Sequence, residues 1–170
     1  MISWLFGREF AEGTITGLFA LPVPRRTIAA AKLVVYMVWS LAASCALLTA
    51  LVLAGLAAGL GGIPADAVPG LGRQLALAVL TGAIAVPAAW ATTMARSILA
   101  GIATTIGIVV LSQLTVVAGA GGWFPFAAPA LWAISAGTEV STVQLLLVAP
   151  VVLATAALAL NNWHRLQLDR

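Results

Sequence analysis

Residues 98–118 read ILAGIATTIGIVVLSQLTVVA, a stretch that contains no charged side chain. A helix needs roughly 20 apolar residues to cross about 30 Å of hydrocarbon, and this stretch has that length. A soluble helix of the same length would carry a continuous polar face, whereas apolar side chains occur on every side of most turns here. We therefore predict that residues 98–118 form a membrane-spanning helix.

Three more stretches repeat this pattern, near residues 28–60, 74–95 and 143–161. The first carries one charge, Lys32, close to its start, and is uncharged from residue 33. Of the 170 residues 62% are hydrophobic and 8% are charged, whereas a soluble domain carries about 25% charged residues. The composition predicts an all-α integral membrane protein with four transmembrane helices in a single domain over residues 1–170.

Basic residues are distributed unevenly between the joints that connect the four spans. Short cytoplasmic loops carry an excess of Lys and Arg. One side of the predicted bundle carries Arg8, Arg25, Arg26, Lys32, Arg96, Arg165 and Arg170. The opposite joints, residues 61–73 and 119–142, carry only Arg73 as a basic residue, together with Asp66 and Glu139. We expect a multi-pass protein of the plasma membrane with both termini in the cytoplasm, the inverted orientation being the alternative.

The external segment, residues 119–142, is apolar but contains prolines and glycines. Its middle part, residues 124–136, is too short to cross a bilayer, which is typical of a re-entrant or interfacial segment. Trp123 and Trp132 suit headgroup depth. A plain amphiphilic loop that rests on the membrane is the alternative.

Polar side chains in the third span include Thr105, Ser112 and Gln113. Gln113 is the most polar of these, and we expect it to face protein or water rather than lipid. Two interpretations of these residues stay open. One is helix packing through hydrogen bonds between helices, and the other is lining of a transport pathway.

The N-terminal segment, residues 5–26, reads LFGREFAEGTITGLFALPVPRR. Glu9 and Glu12 are three residues apart and share a face of a helix. Glycines weaken that helix, so we expect one or two short helices along the membrane interface, ended by Pro22 and Pro24. Lys32 can extend its ammonium back toward the same interface. Physics alone allows either an anchor without a partner or a surface that docks a soluble protein.

The run from Arg8 to Ile15, REFAEGTI, is followed by Leu21-Pro22-Val23, Arg25 and then Lys32-Leu33. It resembles the cytoplasmic segment of type-2 ABC exporter permeases, and most closely that of the bacitracin-resistance and lantibiotic self-protection transporters. The run from Trp123 to Trp132, WFPFAAPALW, is similar to the aromatic external segment before the last span of those permeases. Nearly the whole chain is covered by the resemblance.

This resemblance implies the membrane subunit of an ATP-driven exporter of an amphiphilic or peptide-like compound. In the family the N-terminal segment is a coupling helix that sits in a groove of a separate ATPase subunit. The matching positions imply ATPase contacts by Glu9, Glu12, Gly13 and Thr14. Pro22, Arg25 and Arg26 would fix the exit of the segment into the membrane.

Members of the family usually have six spans, with the coupling helix between the second and third. The chain begins at that helix, so the first two spans are expected to be missing. We expect it to act with a second permease copy or with a longer permease. A small interaction or scaffold protein without transport, or a degenerate permease, is the alternative.

Other functions fit the residues less well. A P-loop needs a lysine after a glycine-rich turn, but Ala29, Ala30 and Ala31 precede Lys32, the only lysine. ATP hydrolysis would therefore be supplied by a partner, and we expect the chain to be no enzyme. The single cysteine, Cys45, excludes an intrachain disulfide and a cysteine-based metal cluster. We expect no cofactor, and no nucleic-acid partner because the chain lacks a solvated cationic face.

Overall fold

The computed structural model describes residues 1–59, 62, 64–65 and 67–166. Within these residues the regular elements are helices. They are α1 (Ile2–Ala11), α2 (Ile15–Phe19), α3 (Arg25–Ala57), α4 (Val68–Ile84), α5 (Val86–Ala95), α6 (Ile98–Val117), a 3-10 turn (Gly121–Trp123), α7 (Ala128–Ile134), α8 (Thr142–Leu146) and α9 (Val148–Arg165). The predicted end of the first span at residue 60, as well as Asp66 and Arg170, lies outside the described residues.

Four helical stretches are long and apolar enough to span a membrane, namely Arg25–Ala57, Val68–Ala95, Ile98–Val117 and Thr142–Arg165. This confirms the predicted all-α class and the four spans. The first span begins at Arg25 rather than at residue 28, because Pro24 caps the helix with an extended ψ of 132°. Proline suits the start of a helix, where no backbone N–H partner is needed.

Two of the four spans are interrupted close to prolines. The second span divides at Ala85, which separates α4 from α5, and Pro87 lies in the first turn of α5. The fourth span divides at Leu147, three residues before Pro150. Proline lacks the N–H that would bond to the carbonyl four residues earlier, so a span containing one is easily divided. The fourth span starts with a capping box in which Ser141 and Gln144 bond each other's backbone N–H.

The short helix α5 lies at the centre of the bundle, where it packs against α1, α6 and α9. Most of its buried side chains are small, and Val86, Ala88, Ala89 and Thr92 are fully buried. Small residues allow helices to approach closely within a membrane. In contrast α4, the other half of the same span, packs mainly against α3. The two halves of the second span therefore belong to different parts of the bundle.

The N-terminal segment lies at one end of the bundle, together with the start of α3, the turn between α5 and α6, and the end of α9. We call this the basic end, because Arg8, Arg25, Arg26, Arg96 and Arg165 lie there. The external segment lies at the opposite end, where its 3-10 turn packs on α6 and α7 packs on α4.

Candidate functional site

The helix α1 is packed into the basic end by one face. Ile2, Ser3, Phe6 and Gly7 are buried along that face, at the spacing of successive helical turns. At Gly7 the approach is closest, since a Cβ there would lie 2.5 Å from Cγ1 of Ile98 and 2.9 Å from Cγ2 of Thr92. The helix therefore contacts the start of α6 and the end of α5 directly, and Gly7 makes this contact sterically allowed.

Glu9 and Lys32 form a buried ion pair between α1 and α3. The Lys32 ammonium lies 2.5 Å from Oε1 of Glu9 and donates a hydrogen bond of 2.7 Å to the carbonyl of Leu5. Glu9 is only 5% exposed, and Arg8 approaches its Oε1 at 3.7 Å. Lys32 therefore holds α1 against the first span at two points, which are the backbone carbonyl of Leu5 and the side chain of Glu9.

Trp163 completes this cluster from the last span. Its indole N–H donates a 3.1 Å hydrogen bond to Oγ1 of Thr93 on α5. The rings of Phe6 and Phe10 meet it at centroid distances of 6.2 and 6.3 Å. The Lys32 ammonium lies 4.9 Å from its ring centroid, within the range of a cation–π interaction.

We call Phe6, Glu9, Lys32, Thr93 and Trp163 the anchor cluster. It joins the N-terminal segment to three of the four spans. Sequence reasoning identified Lys32 but missed Thr93 and Trp163, whose pairing joins residues 70 positions apart in the chain. The only sequence signal was an aromatic residue next to the basic end of the last span.

Beyond α1 the chain turns outward and exposes Glu12, Gly13 and Thr14. Gly13 has φ +68° with nothing within 4 Å of an added Cβ, so the turn needs a residue that tolerates the left-handed region. The short helix α2 follows, and Pro22 and Pro24 are also exposed. The result is an exposed surface with one carboxylate. We call residues 12–14 the docking loop, after the role that the sequence predicts for them.

Arg25 and Arg26 lie where the segment joins α3. The guanidinium of Arg25 lies 4.1 Å from the ring centroid of Phe19 and donates a hydrogen bond to the carbonyl of Leu166. Arg25 therefore connects α2 and the start of the first span to the end of the last one. Arg26 is exposed.

The predicted docking residues thus fall into two groups. Glu12, Gly13, Thr14, Pro22 and Arg26 are exposed. Arg25 is half-buried and Glu9 is buried, so the structure does not bring the two carboxylates together on one exposed face as the helical spacing predicts. Lys32 pairs with Glu9 inside the bundle, while Glu12, the C-cap of α1, is exposed.

A cavity of about 690 Å³ lies between α3, α4 and α6, with the first turn of α1 as its floor. Thr105 is one of its lining residues. Ser112 is partly buried and donates to the carbonyl of Ile108 at 2.7 Å. Gln113 is exposed on α6. Of the three polar residues predicted for packing or a pathway, only Thr105 is brought to the cavity.

Comparison with known families shows which family the chain resembles. The profile of the family described as ABC-2 family transporter protein matches residues 1–112 of the 170. The matched part contains the N-terminal segment, the docking loop, the first two spans and most of α6. No curated protein and no solved structure matches the chain.

Proposed function

Because the chain belongs to the ABC-2 family of transporter proteins, we propose that it is the permease subunit of an ATP-driven exporter. In this role it moves an amphiphilic or peptide-like compound outward across the plasma membrane, with both termini in the cytoplasm. A separate ATPase subunit binds the docking loop and supplies the energy. A second permease copy, or a longer permease, completes the transport pathway.

The observation that carries this proposal is the division of the N-terminal segment into a held part and a free part. The anchor cluster holds α1 against the bundle, while the docking loop is exposed within three residues of Glu9. A segment that only anchored the protein to a membrane would not need a buried ion pair to fix its orientation. A segment that transmits force needs both a rigid attachment and an accessible surface.

The same geometry supports a route for the motion. Binding of ATP would bring two ATPase subunits together and displace the docking loops that they hold, and hydrolysis would reverse this movement. Since α1 contacts α3, α5 and α6 and meets Trp163 of α9, its displacement would act on every span. A switch of this kind needs a ligand that binds the two states with different free energies, and ATP bound by the partner is that ligand.

The docking surface in this proposal consists of Glu12, Gly13 and Thr14. Glu9, Pro22, Arg25 and Arg26 position it from the membrane side. The exposed carboxylate of Glu12 would pair with a basic residue of the ATPase groove, and Gly13 would let the ATPase backbone approach closely.

The test is charge reversal at the docking loop. We expect Glu12→Lys to weaken association with the ATPase subunit about tenfold, because an attractive contact becomes a repulsive one. The measurement is copurification of the tagged chain from its native membranes, followed by identification of a P-loop protein in the eluate and assay of its ATP hydrolysis.

Glu139→Lys is the matched control, because Glu139 is an exposed carboxylate at the opposite end of the bundle. It should leave copurification unchanged. Equal copurification of the parent chain and Glu12→Lys would show that the docking assignment is wrong. Copurification of no ATPase with the parent chain would instead favour a protein without transport function.

A further inference from the structure

Three arginines come together at the basic end, where α3 begins and α9 ends. Arg25 and Arg26 are the first two residues of α3, and Arg165 is the last residue of α9. The Arg25 guanidinium donates a hydrogen bond to the backbone carbonyl of Leu166, the residue directly after Arg165. The two helices also pack against each other. The three arginines therefore start from one small area, which we call the arginine patch (Arg25, Arg26 and Arg165).

The arginine patch has no acidic partner within the described part of the chain. Two carboxylates lie near the same end of the bundle, and neither forms an ion pair with the patch. Glu9 is paired with Lys32, and Glu12 is exposed in the docking loop. The positive charges of the patch are therefore left to be neutralised by something other than these side chains.

The contacts that Arg25 makes are to uncharged groups. Its guanidinium bonds to the carbonyl of Leu166 and lies 4.1 Å from the ring centroid of Phe19. These contacts hold the side chain in place without cancelling its charge. Beyond the described residues the sequence continues with one acidic and one basic side chain, Asp169 and Arg170, whose formal charges cancel.

The arginine patch lies at the depth of lipid headgroups. The helix α3 has 33 residues, which gives it a length of about 50 Å, whereas the hydrocarbon of a bilayer is about 30 Å thick. The first turn of α3 therefore extends out of the hydrocarbon into the headgroup layer. The phosphates of the lipids lie in that layer, within reach of long arginine side chains.

Apolar side chains stand next to the arginine patch along the chain. Leu21 and Val23, in the link between α2 and α3, are 53% and 43% exposed, and they precede Arg25 by four and two residues. A soluble anion would gain nothing from covering these side chains. An amphiphilic anion would contact both the charges and the apolar surface, so the combination favours a lipid.

We propose that the arginine patch binds an anionic phospholipid, whose phosphate is held by Arg26 and Arg165 and whose acyl chains cover Leu21 and Val23. Guanidinium groups bind phosphate oxygens through paired hydrogen bonds, and basic pockets between membrane helices are known to hold such headgroups. Arg25 positions the site by fixing the end of α9 against α3. The proposal does not depend on the transport role, since it concerns only the surface that meets the lipid.

Native mass spectrometry of the purified full chain in an uncharged detergent tests this site. The probes are dioleoyl phosphatidylglycerol and dioleoyl phosphatidylcholine in equal amounts, which differ only in their headgroups. We expect the parent chain to retain the glycerol lipid in clear excess. The double variant Arg26→Gln with Arg165→Gln should raise the concentration for half occupancy about tenfold, because two charge contacts are lost.

Two further double variants separate a specific site from general attraction by charge. Arg8→Gln with Arg73→Gln removes the same total charge from α1 and from α4 and should leave retention unchanged. Arg26→Lys with Arg165→Lys keeps the charge but loses the paired hydrogen bonds, so it should weaken binding less than the glutamine pair does. Arg26 and Arg165 are exposed, and we expect all these variants to fold, which circular dichroism verifies.

The apolar part of the site has its own pair of variants. Leu21→Ser with Val23→Ser should weaken retention about threefold, because less apolar surface is covered. Ile134→Ser is the control, since Ile134 is 84% exposed on α7 at the opposite end of the bundle.

Three results would overturn the proposal. Equal retention of the two lipids by the parent chain would mean that the patch does not select an anionic headgroup. Equal weakening by the two glutamine pairs would mean that the lipid responds only to the total charge of the protein. Displacement of the lipid by millimolar inorganic phosphate at constant ionic strength would assign the patch to a soluble phosphate instead.

Discussion

At the scale of single residues, Lys32 is the side chain on which the position of the N-terminal segment depends most. Its ammonium contacts the carboxylate of Glu9, the carbonyl of Leu5 and the faces of two aromatic rings. Its side chain is 10% exposed and that of Glu9 is 7% exposed. A buried pair adds little relative to apolar residues of the same size, but removal of one partner leaves an uncompensated charge.

We therefore expect Lys32→Met to lower the free energy of unfolding by about 3 kcal/mol. The double variant Lys32→Met with Glu9→Gln should recover much of this loss, because no unpaired charge remains. Thermal unfolding in detergent micelles, arranged as a double-mutant cycle, measures both effects. Arg26→Met is the control on the same helix, since Arg26 is exposed. An equally large loss in Arg26→Met would contradict the special role of the pair.

The sequence predicts part of this arrangement. A lysine near the start of an apolar span is expected to extend toward the nearest polar surface, and Lys32 extends toward α1, where its ammonium is buried against Glu9. The partner of Lys32 could not be predicted. A turn, a short helix and two prolines separate Glu9 from Lys32, and the sequence does not determine how these elements are oriented relative to one another. Glu9 and Glu12 look equivalent in the sequence, and only the position of Lys32 distinguishes the buried carboxylate from the exposed one.

At the scale of elements, α1 is more deeply packed than its sequence predicts. An amphipathic stretch interrupted by glycines indicates a helix lying along the interface. The structure instead packs α1 against α5 and α6, since Gly7 removes the side chain that would keep the helices apart. We expect Gly13 and Gly17 to weaken the segment, whereas the role of Gly7 in close packing depends on Ile98, which lies in another span.

Glycine substitutions distinguish packed from free positions in this segment. We expect Gly7→Ala to destabilise the protein by about 2 kcal/mol, because the new methyl group would overlap with Ile98 and Thr92. Gly17→Ala should be neutral or slightly stabilising, since nothing lies within 4 Å of an added Cβ and alanine favours a helix. Thermal unfolding of the two variants gives the comparison, and equal shifts would mean that α1 is not seated against α6.

At the scale of the whole molecule, the number of spans and their order follow from hydropathy alone. Charge-free stretches of about 20 residues have few alternatives to crossing the bilayer. The packing order does not follow, because all four spans have similar Ala-rich and Leu-rich surfaces. The cavity could not be predicted for the same reason. The cavity depends on the helices that each half of the second span contacts, α3 for α4 and α1, α6 and α9 for α5. Pro87 indicates only where the span divides.

The proposed orientation predicts the accessibility of single cysteines. In a Cys45→Ser background, Glu12→Cys should react with a membrane-impermeant maleimide only after the cell is permeabilised. Glu139→Cys should react in intact cells. Both positions are exposed at opposite ends of the bundle, so they report orientation rather than burial. The reverse pattern would place the docking loop outside the cell, where no ATPase could bind it.

The division of the second span at Ala85 places a hinge between α4 and α5 inside the membrane. A displacement of α1 would tilt α5 and α6, with which α1 makes its largest contacts, more than α3 and α4. Because α6 and α4 form facing walls of the cavity, such a tilt would widen or narrow the gap between them. A movement of α1 at the basic end would thereby change the width of the cavity and compress or release a molecule bound in it.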